Sequence, residues 1–369
     1  MLRTCRPIYN HYNDKQGIFM NKPAITIVTA ALIGTCSPLW ADTTAQLCDQ
    51  VGKAEAICGF PAPEDIDLMP DGETLVLSAF GGLNGEHPQK LRLFNTQTLA
   101  VQPLPRMDGD TPMRWDGDAC PDAPDEAFGS HGIDISQRAD GAWQLLAVNH
   151  VRESVEMFEI VNLDTEPALA WRGCVVVPEN SSINDTAALP DGGLLATQMM
   201  EKTEGDMMEA MAQQGVTGHV WRWRPGKGLD ILPGSEANLA NGVAVSPDGK
   251  TVFVAETGIG QVRKIDYETG NTLGTAKATS ADNFSWAPDG RLIVTGINGP
   301  MTADCMTAPG PCLAPFQVQA IDPDTMETTV IWQQNGAPMG AGTVGVIVGD
   351  FLYAGSFKGN QLMRVRLSP

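Results

Sequence analysis

The sequence predicts an all-β fold, a six-bladed β-propeller with four-stranded blades around a central channel. Three observations predict it. A hairpin-like unit recurs six times. The 39 Gly and 26 Pro in 369 residues supply turns at the frequency that many short strands need. No stretch has a convincing long helical period except the Met-rich segment Glu204 to Gln214, which reads as a surface helix or flap over one face.

The repeat runs polar residue, apolar strand, turn, apolar strand. Four copies share the turn Pro-Asp-Gly: EDIDLMPDGETLVLSAF from Glu64, NDTAALPDGGLLATQM from Asn184, NGVAVSPDGKTVFVAET from Asn241 and DNFSWAPDGRLIVTG from Asp282. A looser copy, HGIDISQRADGAWQLLAVNH, starts at His131, and GTVGVIVGDFLYAGSF at Gly342 completes the six. Proline presets φ, aspartate bonds its own turn and glycine supplies φ > 0, so each copy is a hairpin by composition. Segments between the copies, such as Lys90 to Phe94, Val155 to Phe158, His219 to Trp223 and Gln261 to Ile265, suit the outer strands. Blades of this kind bury each other's faces.

Composition narrows the function classes. The formal charge is −20, from 44 acidic and 24 basic residues, and no basic run occurs. Nucleic-acid binding and adhesion to an anionic membrane both need the opposite balance. Residues 1–19 form a leader without an interpretable pattern, consistent with a start misassigned upstream of Met20. Residues 20–41 read as a signal peptide: Lys22 in a short basic region, Ala24 to Ile33 as the apolar run, and Ala41 near the cleavage point. Thr35 before Cys36 fits a lipoprotein signal poorly. Residues 42–369 are then a single propeller domain, exported to the periplasm or beyond, with no eighteen-residue apolar span.

Export leaves six cysteines, an even number that suggests disulfides. Cys48 with Cys58 and Cys305 with Cys312 are the simplest local pairs, leaving Cys120 with Cys174, one of fifteen possible pairings. No CxxC occurs, which argues against structural zinc.

The leading residues of four copies, Glu64, Asn184, Asn241 and Asp282, each stand six positions before the turn proline. A fixed offset places them at equivalent points of the innermost strands, so their oxygens converge in the channel, where Asn283 reaches the same region. Buried carboxylates and amides need partners. An all-oxygen set with two charges suits calcium over zinc or copper, the alternative being that these groups cap strand ends or hold channel water. Asp65 and Asp185, next in sequence, suit a deeper second ion shared with backbone carbonyls such as that of Ile133; solvated or turn-bonded aspartates are the alternative. His131 heads its repeat and His150 ends the next strand of the same hairpin, which brings both to one end of the blade as a proton-handling pair. The sequence has no GxSxG, HExxH or GxxxxGK[ST] motif.

PEDID (63–67), SHGIDI (130–135), LLAVNH (145–150) followed by VEMFEI, IND (183–185), LANGVAVSPDGKTVFVAE (239–256), ADN (281–283) and the C-terminal GAGTVGVIVGDFLYAGSF together resemble the paraoxonase family, calcium-dependent lactonases and arylesterases within the gluconolactonase-like six-bladed propellers. The likeness runs in order over roughly residues 58–367. It implies Glu64, Asn184, Asn241, Asp282 and Asn283 as ligands of a catalytic calcium. It implies Asp65, Asp185 and the Ile133 carbonyl at a structural calcium, and His131 with His150 as a histidine dyad. Gluconolactonases share the calcium ring but not the dyad, so both histidines favour the paraoxonase branch. That family's disulfide from the N-terminal region to the last strand has no obvious counterpart, because the chain ends MRVRLSP. The expectation is a calcium-dependent hydrolase of lactones or aryl esters, with Trp221, Trp223 and Phe284 as candidates for an apolar wall, core packing being the simpler role for each. A sugar lactonase or organophosphate hydrolase on the same scaffold, or a non-catalytic binding propeller, are the rivals.

Overall fold

In each Pro-Asp-Gly turn the chain does what its composition dictates. Gly72, Gly192, Gly249 and Gly290 take φ values between 71° and 87°. The aspartate before each glycine accepts backbone N–H groups just beyond it, as Asp71 Oδ1 does from Glu73 and Thr74 at 2.9 and 2.8 Å. The turns therefore close hairpins, and the computed structural model, which describes residues 43–107, 115, 120–202, 215–299, 305 and 310–367, is all-β. The leader, the signal segment and the Met-rich stretch 204–214 lie outside the described residues.

Six sheets form the blades. Their innermost strands are Ile66–Leu68, Ser130–Gln137, Ser181–Ala188, Ala240–Val245, Ala281–Trp286 and Gly342–Val348, one from each repeat copy. Each inner strand contacts the next, and the sixth contacts the first, which closes the ring. Four sheets have the expected four strands and two have five. The difference comes from the N-terminal region. Ala54–Cys58 pairs with Gln361–Arg366 and completes the last blade, Gln46–Val51 adds an exposed ribbon outside it, and Thr43–Thr44 pairs with Ala100–Pro103 on the first blade. Ring closure is thus by strand pairing between the two ends of the domain. Cys58 lies opposite Gln361 and is bonded to Cys48, not to the last strand. Cys120–Cys174 and Cys305–Cys312 are the other disulfides.

Six apolar clusters fill the six spaces between blades. Leu145 faces the first blade while Leu146 faces the third, and Val252 and Phe253 divide in the same way. This is why second strands such as LLAV and VFVA are apolar throughout: both of their faces are buried, and alternation survives only where one face meets water. Trp223 is buried between the second and third blades, and Trp221 packs beside it with Nε1 donating to Gln198 Oε1 at 2.9 Å.

Candidate functional site

The inner strands are irregular at one shared position. Their ladders shift register between Ser130 and Ile133, Ile183 and Thr186, Ala240 and Val243, Ala281 and Phe284, and Gly342 and Val344. In the first blade the ladder begins only at Ile66. The shift frees two residues from pairing in four of these strands and one, Thr343, in the last, and re-aims their side chains. The freed residues include His131, Asn184, Asp185, Asn241, Asp282, Asn283 and Thr343, with Glu64 and Asp65 at the equivalent place. Glycines complete the device at two bulges. A Cβ on Gly132 would stand 2.5 Å from Asp185 Cα, and one on Gly242 would stand 2.3 Å from the Asp282 carbonyl oxygen, so only glycine lets neighbouring inner strands approach this closely.

The five ring residues come together at the channel neck and are buried. Asn283 Nδ2 donates to Glu64 Oε1 at 2.8 Å, and Thr343 Oγ1 donates to the Glu64 carbonyl at 2.6 Å. Each ring residue keeps one buried oxygen without a hydrogen-bond partner: Glu64 Oε2, Asn184 Oδ1, Asn241 Oδ1, Asp282 Oδ1 and Asn283 Oδ1. Native proteins seldom leave such atoms unmade, least of all five on one ring. The carboxyl of Asp282 is pushed well above the usual range, first by burial and then by the charge of Glu64. A hard cation would answer both the unmade bonds and the crowded charge, so the donor set fits calcium. Among the described residues no group of three or more His, Cys, Asp or Glu is poised for a metal, in keeping with a ring that draws most of its donors from amides.

Asp65 and Asp185 stand differently. Their carboxylates stitch one inner strand to another: Asp65 Oδ2 accepts the Ile133 N–H at 2.7 Å and Asp185 Oδ2 accepts the Val243 N–H at 2.8 Å. Asp65 and Ile133 thus meet through an N–H group. Both carboxyls are raised well above their ordinary range by burial, Asp65 further by the Asp185 charge and Asp185 by that of Glu64.

His131 Nδ1 and His150 Nε2 lie 2.8 Å apart, and His131 Nε2 is 3.5 Å from Glu64 Oε2. On the far side, His150 Nδ1 is 2.9 Å from Glu153 Oε1. Sequence reasoning missed Glu153, which sits three residues past His150 in the turn to the next strand.

A cavity of about 680 Å³ opens over the ring. Its walls include Phe80, Leu83, Met199, Leu239, Ile297 and Phe357. Neither Trp221, Trp223 nor Phe284 lines it. The two tryptophans serve the core, and Phe284 faces a second cavity of about 660 Å³ at the other end of the channel, beyond the ends of the same inner strands. The missed wall residues had a signal: Phe80, Met199, Thr257 and Ile297 follow their turn prolines by nine or ten residues, where each second strand returns to the ring. His87, in a polar loop by sequence, also reaches this cavity.

Comparison with known proteins agrees with this architecture. The family described as SMP-30/Gluconolactonase/LRE-like region matches residues 153–304. Over 309 residues the chain is 23% identical to human serum paraoxonase/arylesterase 1, covering 79% of this chain and 82% of that protein. The rat protein of the same name is 24% identical over the same length, with the same shares covered. Among solved structures, a gluconolactonase from Xanthomonas campestris matches with a TM-score of 0.52 at 16% identity, covering 89% of this chain and 99% of that one. A luciferin-regenerating enzyme matches at 0.52 and 14% identity, covering 84% and 92%. Likeness at these identities concerns the fold. By its motifs, its six blades and these matches, the chain is similar to the paraoxonases within the SMP-30/gluconolactonase/LRE-like six-bladed propellers.

Proposed function

We propose that the protein is a calcium-dependent hydrolase that opens lactones or cleaves aryl esters. One observation carries this reading: five buried, unpartnered oxygens converge beneath a largely apolar cavity with a histidine at its edge. Glu64, Asn184, Asn241, Asp282 and Asn283 would hold a catalytic calcium, which when bound supplies a Lewis acid for the ester carbonyl oxygen. Asp65, Asp185 and the Ile133 carbonyl would hold a second, structural ion, supported by the mutual repulsion of the two aspartates. Phe80, Met199, Ile297 and Phe357 hold the apolar part of the substrate and limit water at the ring. His131, with His150 behind it, takes the proton of the attacking water. Its Nε2 lies beside Glu64 and close to the ring, where that proton is released.

The apolar walls favour lipophilic lactones and aryl esters over sugar lactones, whose hydroxyls would lose hydrogen bonds there. Identity to paraoxonase/arylesterase 1 supports the same choice. Export from the cytoplasm is supported by the three disulfides, and among the described residues no helix is long and apolar enough to cross a membrane. The test is turnover of a panel of γ- and δ-lactones and phenyl acetate, with calcium titrated against a chelator. Calcium-dependent turnover, slowed in His131→Gln, is expected. A folded, calcium-loaded protein that turns over no ester would instead be a binding propeller.

A further inference from the structure

Behind the histidine pair lies a charged arrangement that the ring does not require. Glu153 is buried, and its carboxylate takes three donors from two blades. His150 Nδ1 and Lys202 Nζ reach Oε1 at 2.9 and 2.8 Å, and the Ile183 N–H reaches Oε2 at 3.2 Å. Lys202 follows the second strand of the third blade, Leu194–Glu201, and Ile183 belongs to that blade's inner strand. Glu153 itself occupies a tight turn of the second blade with φ of 43°, a conformation that costs a non-glycine residue free energy and persists only when its surroundings hold it. Three bonds to its carboxylate, two of them across a blade boundary, supply that hold.

With His150 neutral, the proton count along this line has one solution. A carboxylate facing an ammonium and an amide is an acceptor, so the proton between Glu153 and His150 belongs to His150 Nδ1. Burial holds His150 below the usual imidazole range, so its ring is neutral at neutral pH and carries only that proton. Its Nε2 is therefore an acceptor, and the 2.8 Å contact requires His131 to donate from Nδ1. The remaining nitrogen of His131, Nε2, lies on the side of Glu64 and the cavity and is the one left to take a proton there.

We propose that Glu153 and Lys202 are positioning residues that set the tautomers of His150 and His131 and so turn the basic nitrogen of His131 toward the attacking water. The inference rests on His131 acting as the base of the hydrolase described above. Glu153 touches neither substrate nor ring oxygens. It works through His150, as a buried carboxylate does when it orients a catalytic imidazole.

The experiment combines histidine ¹⁵N NMR of the calcium-loaded protein with steady-state kinetics on whichever lactone it turns over. In the wild type, His150 and His131 are both expected to be protonated at Nδ1 and bare at Nε2. Glu153→Gln is expected to lower kcat ten- to hundredfold with KM within about twofold, and to mix the His150 tautomers. Lys202→Met should lower kcat roughly three- to tenfold, and Lys202→Arg should restore it, because the ion pair and not the lysine stem matters. A His150 protonated at Nε2 in the wild type overturns the proposal without any variant, which covers the case of a Glu153→Gln chain that does not fold. Wild-type kcat in folded Glu153→Gln, alongside slow His131→Gln, removes the relay alone. Unchanged turnover in His131→Gln removes the base itself, and the relay's role with it.

Discussion

Asp282 concentrates the chemistry of the ring in one side chain. It supplies one of the two ring carboxylates, its Oδ1 is unpartnered, and burial with the nearby Glu64 charge raises its pKa, a load that a bound cation would offset. Asp282→Ala removes that charge and is expected to lower turnover by at least about 10³-fold, the scale of a lost electrophile. Calorimetric calcium titration should show the matching loss of affinity, and wild-type affinity in this variant would exclude Asp282 as a ligand. The ring was legible in the sequence because a fixed offset from a turn proline survives in four copies. Glu153 was not legible, since it belongs to no repeat position and its partners, Lys202 and Ile183, come from another blade. The tryptophans fill the core, the simpler of their two readings. An apolar side chain is recognised by composition, but whether it faces a cavity or a neighbouring blade depends on which strand of the sheet it occupies.

Each blade is a single sheet whose two faces are covered by its neighbours, so the boundaries between blades are the core. The last blade depends on Ala54–Cys58, which is recruited from the other end of the domain and pairs directly with its final strand. Ile57 on that strand is fully buried with Val344, Tyr353 and Leu362 on one side and Phe94 on the other. Ile57→Ala is expected to destabilise the ring by about 2–5 kcal/mol, read by chemical denaturation. A change below about 0.5 kcal/mol would mean that the strand only decorates the sheet. The hairpins were visible in the sequence as Pro-Asp-Gly between β-branched runs, because turn chemistry is local. The bulges were not. Alternation turned Asp65 and Asp185 away from the ring, as they stand, but it could not show that unpaired residues at the strand starts let them bind the adjacent inner strand.

Across the whole molecule, the channel gathers more acid than its interior tolerates without a counter-ion. Burial and Asp134 raise Asp67 to about 7, and burial raises Asp134 to about 6. Asp65, Asp185 and Asp282 shift the same way. The metal-free folded chain therefore binds more protons than the unfolded chain between about pH 4 and 7. Stability from these groups is present below about pH 4 and is lost as pH rises through the folded values. His150 and His219, lowered by burial, act oppositely, their stability being lost as pH falls through the imidazole range. Surface carboxyls such as Asp71 and Asp230, lowered by hydrogen bonds, also act oppositely near the acid end, but across this window the five buried carboxyls outweigh them. In chelator the melting temperature should fall from pH 4 to 7, and Asp67→Asn should flatten the slope. Calcium at 100 times its dissociation constant should add about 2.7 kcal/mol per site and reverse the trend, since bound ions favour the ionised carboxylates. A melting temperature indifferent to chelator at neutral pH would argue against both ions.

By itself the sequence determined the six hairpins, their propeller arrangement and the identity of the ring, because turn residues, apolar runs and a repeated offset are properties of neighbours along the chain. The tertiary structure alone decided how the ring closes, which side chains wall the cavity and what stands behind the histidines. Those depend on contacts between residues as distant in sequence as Cys58 and Gln361, or Glu153 and Lys202. No local pattern encodes such pairs; they meet only when packed blades bring their strand ends to the same end of the channel.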